Sequence, residues 1–152
     1  MQEKTVSGYL TRSLIQFAAD QGMDIEELCS EVGLDPIVLT TPDHRIPASV
    51  HYAVWREVAK QTGDENLGLH FGEAFNVGNY GIVGYILLNC QTLADVLEKY
   101  CRYTYLFCQG FPCQLSISDG MAFFECSFSS GLIFKNDQKN RVTMPNARLP
   151  LL

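Results

Sequence analysis

No stretch of this chain is apolar for long enough to cross a bilayer. The apolar-plus-glycine run from Ile82 to Leu88 falls far short of the ~20 residues a spanning helix needs. No apolar leader follows Glu3 and Lys4, so the sequence predicts no signal peptide and a cytoplasmic location. Positive charge is scarce: 11 Lys and Arg stand against 17 Asp and Glu, for a net charge of −6. Residues before 112 carry 7 basic and 14 acidic side chains, those after it 4 and 3. An acidic body repels phosphate backbones, which excludes nucleic-acid binding by this segment alone. Lys135, Lys139, Arg141 and Arg148 read as a solvated tail rather than a binding patch.

Several catalytic and cofactor signatures are missing too. Gly78, Gly81 and Gly84 form a GxxGxxG run, but it is neither GxGxxG nor a Walker A motif, and no GK[ST] follows. There is no GxSxG, and no Cys–His pair with a third partner at recognisable spacing, which argues against a hydrolase. The six cysteines (29, 90, 101, 108, 113 and 126) include no CxxC pair and no zinc-like Cys–His spacing. They are expected to be apolar thiols, with Cys101 and Cys108 sharing one helix face.

What is present is the pattern of a globular chain: 152 residues, 47% hydrophobic and 18% charged. Leu10, Leu14, Phe17 and Ala18 give helical spacing from Gly8 to Gln21. A short helix follows from Asp24, an N-cap with Glu27 three residues on, to Val32, and Gly33 stops it. These two helices have helix-turn-helix proximity, but Asp24, Glu26, Glu27 and Glu31 make the pair acidic, and a recognition helix needs basic and amide groups.

Gly33 to Pro47, GLDPIVLTTPDHRIP, is a shaped connector. Pro36, Pro42 and Pro47 fix φ and turn their preceding residues away from helix. Arg45 is expected to brace it against Asp43 or a helix C-terminus. Ala48 to Thr62 reads as a helix with Val50, Ala53, Val54 and Val58 inward and Gly63 as its stop. Asp64 is expected to cap a short helix reaching Phe75. The glycine run is expected to allow close packing of a helix or to mark the turn into it.

Thr92, with Asp95 at the third position, opens a helix that runs to Gly110 and faces Leu93, Val96, Leu97, Tyr100, Thr104 and Phe107 inward. From Pro112 the period becomes two. Cys113, Leu115 and Ile117 share one face, Asp119-Gly120 makes the turn, and Ala122, Phe124, Cys126 and Phe128 return on the same face. The expected fold is α+β, with a helix-rich N-terminal two-thirds packed on a small antiparallel sheet built around the hairpin near 113–128. A hairpin needs further strands or a helical cover, and the residues beyond it look poorly suited to supply a sheet.

GLDPIVLTTPDHRIP, Trp55, TGDENLGLHFGEAF and YGIVGYILLNCQTLADVLEKYCRY, in this order, resemble the N-terminal sensing domain of AraC-type transcription regulators. The branch is that of ornithine- and arginine-responsive activators and VirS-like regulators, and the resemblance runs from about Gly8 to Phe128. It implies a cytoplasmic bacterial effector-binding domain that forms homodimers and is joined to two C-terminal helix-turn-helix motifs. It implies a small-molecule effector, DNA contact only through that further domain, and neither enzyme activity nor a cofactor.

The chain departs from the family pattern in two ways. The helix-turn-helix region is absent, and NRVTMPNARLPLL, which resembles the closing segment of the sensing domain, follows the hairpin after little more than GLIFKNDQK. The expectation is one sensing domain over 1–152, incomplete in its middle. A short form that pairs with a full-length regulator is the alternative.

Candidate effector contacts are Trp55, Tyr85 and Tyr103 as walls and Arg12 or Arg102 as partners for a carboxylate. Each competes with an ordinary role: core packing for the aromatics, surface ion pairs for the arginines. A second functional reading is a haem-based sensor with His70 as proximal ligand, set against His70 as a packed core residue.

Overall fold

The computed structural model describes residues 3–41, 44–118, 121–126 and 140–144. Pro42, Asp43, the Asp119-Gly120 turn, Phe128, the junction after the hairpin and the Leu-Pro-Leu ending lie outside the described residues. The architecture is α+β. β1 (Thr5–Ser7) leads into α1 (Gly8–Asp20) and α2 (Ile25–Val32). A 3-10 turn (Pro36–Leu39) and β2 (Arg45–Pro47) precede α3 (Ala48–Thr62) and α4 (Leu67–Ala74). A second 3-10 turn (Val77–Tyr80) precedes α5 (Ile82–Leu88) and α6 (Leu93–Phe107). β3 (Cys113–Ser118), β4 (Met121–Cys126) and β5 (Asn140–Met144) close the order.

Local chemistry sets most helix ends. The Asp24 carboxylate accepts the Glu27 N–H at 3.0 Å, and Gly33 ends α2 in the left-handed conformation at φ 68°, which a residue without Cβ adopts freely. Thr92 accepts the Asp95 N–H at 3.1 Å and donates its hydroxyl to the Asp95 carboxylate at 2.8 Å. Asp64, however, does not cap α4. The cap position is Asn66, without a side-chain bond, and Asp64 reaches instead for the Asn66 N–H (2.9 Å) and for His70 Nδ1 (2.6 Å).

The connector is firmer than a linker. It holds the Pro36–Leu39 turn, and its end, β2, pairs antiparallel with β1 in the register Thr5↔Pro47, Val6↔Ile46, Ser7↔Arg45. Arg45 ties three elements: Nε donates to Thr5 Oγ1 at 2.7 Å, one Nη to the Thr5 carbonyl at 3.0 Å, and the other to the Leu106 carbonyl at the end of α6. The helix C-terminus is thus its brace.

β1 also ends α6 early. Cys108 is extended and bridges Val6, and Gln109 N–H donates to the Thr5 carbonyl at 2.9 Å. Two corrections follow: α6 stops at Phe107 and not at Gly110, and Cys108 leaves the helix face it was expected to share with Cys101. Leu93, expected inward, is 51% exposed, and the packed face of α6 begins at Val96.

Two apolar clusters fill the helical body. Leu14, Ile15, Ala18, Leu28, Val54 and Val58 centre the first, with Phe17, Trp55 and Phe71 packed against it. Val6, Val83, Leu87, Phe107 and Cys108 centre the second, with Tyr52, Tyr80, Tyr100 and Tyr103 around it. Gly84 permits the close contact between α5 and the turn before it: a Cβ there would collide with the Val77 carbonyl and lie 3.1 Å from Gly78 Cα. The sheet order is β3-β4-β5, all antiparallel, so the tail supplies a strand after all: Asn140–Met144 pairs along β4 from Cys126↔Asn140 to Ala122↔Met144.

Candidate functional site

Helix α3 puts polar groups inside the body. His51 falls on the Ala48, Val54 and Val58 face by helical spacing and is buried. Its Nδ1 lies 2.9 Å from the Thr11 hydroxyl on α1, and its Nε2 lies 3.2 Å from Trp55 Nε1 one turn on. Indole nitrogen only donates, so Nε2 must accept. The neutral ring then carries its proton on Nδ1 and donates it to Thr11. Burial holds the imidazole well below its usual range, at about 4, which agrees with a neutral tautomer. Among the described residues no buried side-chain nitrogen or oxygen lacks a partner.

At the next position of α3, Tyr52 contacts Cys108, and burial raises the pKa of both. Tyr80 and Tyr100 meet edge-on at 5.8 Å between ring centroids, and burial again raises the pKa of both hydroxyls. All these groups are therefore neutral polar groups in apolar surroundings.

An unbroken line of aromatic contacts connects the two clusters to the sheet. Trp55 meets Phe71 at 5.1 Å between ring centroids, Phe71 meets Phe75 at 5.3 Å, and Phe75 meets Tyr80 at 4.9 Å. Tyr80 meets Tyr100 at 5.8 Å, and Tyr100 meets Phe124 of β4 at 5.9 Å. Edge-on and tilted pairs at these distances favour each other electrostatically as well as by burial. Any rearrangement near Trp55 therefore has a packed route to the sheet.

The five residues singled out by sequence do not converge. Trp55 is half-buried against the first cluster and Tyr103 against the second. Tyr85 is 66% exposed on the outer face of α5, not a wall of the interior. Arg12 is exposed over the Tyr9 ring and donates to the Leu39 carbonyl at 3.3 Å, while Arg102 pairs with Glu98 at 3.4 Å on the surface of α6. A cleft of ≈ 590 Å³ lined by Gln21, Asp24, Glu27 and Gln61 contains none of the five, and its two carboxylates disfavour an anionic ligand.

His70 is neither a packed core residue nor suited to haem. It is exposed, and Asp64 holds its Nδ1 and raises its pKa, so no apolar walls surround it for a macrocycle. Sequence reading passed over His51 and Thr11. The available signal was position: His51 lies on the buried face of α3 and four residues before the single tryptophan.

Residues 22–130 match the family described as the arabinose-binding domain, at the N-terminus, of AraC transcription regulators. An uncharacterized HTH-type transcriptional regulator of Mycobacterium tuberculosis is 28% identical over 96 residues, covering 62% of this chain and 28% of that protein. A regulator of the same description from Mycobacterium bovis gives the same figures. The ornithine utilization regulator of Pseudomonas aeruginosa is 24% identical over 110 residues, 72% of this chain and 32% of that protein. The chain thus spans no more than about a third of these relatives' length. No helix among the described residues is long and apolar enough to cross a membrane. With well over half of its residues matched, the chain belongs to the AraC transcription-regulator family through its N-terminal, regulatory ligand-binding domain.

Proposed function

We propose that this chain binds a small-molecule effector, forms a homodimer, and passes the bound signal to a DNA-binding region of the helix-turn-helix kind found in its relatives. The family match carries this reading. The interior supports it: neutral hydroxyl, imidazole and indole groups sit among aromatic rings that run from α3 to β4. The effector class that suits these groups is an amphipathic carboxylic acid. Trp55 and Tyr103 would offer it apolar faces in separate clusters, while Tyr85, Arg12 and Arg102 lie on the surface and could meet its carboxylate end only from outside the interior.

An effector shifts a regulator between two arrangements only by binding one of them more tightly. The aromatic line would convey that preference to the sheet. The proposal includes that this work is done in the cytoplasm and without catalysis, in keeping with a family that is a regulatory class.

A thermal-shift screen of amino acids, fatty acids, aromatic acids and pentoses tests the proposal. A true effector at 100 times its dissociation constant adds about 2.7 kcal/mol of stability, a clear rise in melting temperature. A screen of all four classes at millimolar concentration with no shift would count against a small-molecule sensor. Chromatography with light scattering tests the dimer, and a monomer at micromolar concentration contradicts that part.

A further inference from the structure

The hairpin brings two thiols together that the helical body does not use. Cys113 opens β3 and Cys126 closes β4, and the register makes them direct cross-strand partners. Their Sγ atoms lie 2.7 Å apart in a thiol–thiol hydrogen bond, and both are half-buried, so small reagents can reach them. Directly opposed residues of an antiparallel pair have Cα atoms about 4.5–5.5 Å apart, inside the range a disulfide spans.

The surroundings add chemistry. Cys113 lies against the Thr104 hydroxyl of α6, and Cys101 of the same helix is close enough to both sulfurs to feel their charge. Contact between the two sulfurs shifts them in opposite directions, Cys126 down and Cys113 up. Cys126 is thus the thiol of the pair that ionises more readily, and its thiolate form is the nucleophile.

We infer that Cys113 and Cys126 are an oxidation site, closed to a reversible cross-strand disulfide by hydroperoxides. The Cys126 thiolate attacks one peroxide oxygen. The O–O bond breaks, the alkoxide or hydroxide leaves and takes up from solvent the proton that Cys126 had released on ionising, and Cys126 becomes a sulfenic acid. Cys113 Sγ then attacks that sulfur, the S–O bond breaks, and hydroxide leaves as water with the Cys113 proton. Two thiols lose two electrons and one peroxide gains them. The new bond staples β3 to β4 beside α6, at the end where β4 pairs with β5 through Asn140. It would stiffen the part of the sheet that Tyr100 touches through Phe124.

The test is peptide mapping of the 152-residue chain after exposure to hydrogen peroxide, with free thiols alkylated. The expected result is loss of two of the six alkylatable thiols and a 113–126 linked peptide that dithiothreitol releases. Cys113→Ser should leave a sulfenic acid on Cys126 that dimedone traps, and Cys126→Ser should abolish the linkage. Thermal melts of both variants check that each is folded. A linkage joining Cys101 or Cys108 instead, or no 113–126 peptide once other cysteines are oxidised, overturns the inference. This readout needs no effector, so it stands or fails separately from the proposed function.

Discussion

Replacing His51 by glutamine should remove most of one component of this protein's sensitivity to acid. In the native state burial keeps the His51 imidazole near a pKa of about 4, while the unfolded chain has the ordinary value of 6.5. Below 6.5 the unfolded state takes up a proton that the native state refuses, so stability falls as pH drops and levels off below the folded value. Between pH 7 and pH 5 that linkage removes about 2 kcal/mol, or roughly 5 °C of melting temperature for a chain of this size.

Glutamine retains one donor and one acceptor for Thr11 and Trp55 but cannot titrate. His51→Gln should be less stable at pH 7, yet lose about 2 kcal/mol less than the natural sequence on going to pH 5. Other groups shift with pH in both chains. Lowered carboxylates such as Asp64 cost stability in acid, while the raised His70 contributes stability below its unfolded value and loses it as pH rises through the folded one. The difference between the two chains cancels them. Urea titrations at both pH values measure that difference. Equal acid losses in the two chains would show that His51 is not a buried neutral group, and the tautomer argument with Trp55 would fail.

Gly84→Ala ought to gain about 1 kcal/mol from helix propensity and lose more than that from the overlap with the Val77 carbonyl, since both colliding partners are backbone. Net destabilisation of about 1–3 kcal/mol in a denaturant melt is expected, and a neutral or stabilising result would refute the close packing of α5. Arg45→Met removes three charge-assisted donations to Thr5 and Leu106, at a cost of about 2–4 kcal/mol. Arg45→Lys should recover only a minor part of this, because an ammonium cannot span the same fork. Full recovery with Lys would reduce Arg45 to a simple charge.

How much could be read in the chain depended on how local each cause was. The α2 and α6 caps were legible because Asp24 and Thr92 act on N–H groups three residues away. The hairpin was legible because its two strands flank a two-residue turn and alternate in step. The pairing of Ser118 with Met121 also puts Cys113 opposite Cys126, a consequence contained in the sequence but not drawn from it. Asp64 misled because His70, six residues on, takes the carboxylate that a cap would have used.

Strands β1 and β2 escaped notice since three-residue strands make no periodic signal, and their pairing spans forty residues. The same distant pairing ends α6 at Phe107. β5 was underestimated because Asn140–Met144 looks polar when read without β4 beside it. For the candidate site, aromatic and arginine side chains drew attention by type, whereas the buried arrangement around His51 depends on α1 lying against α3. Only Trp55 belongs to both descriptions.

Trp55 is the single tryptophan, and its indole N–H is bound to buried His51, so its fluorescence reports directly on the interior. The decisive measurement is a titration of that emission with the most stabilising compound from the thermal screen. The account predicts a saturable change in Trp55 emission whose dissociation constant equals the one derived from the stability gain. A compound that stabilises the chain while Trp55 emission stays unchanged would contradict an effector site built on this interior.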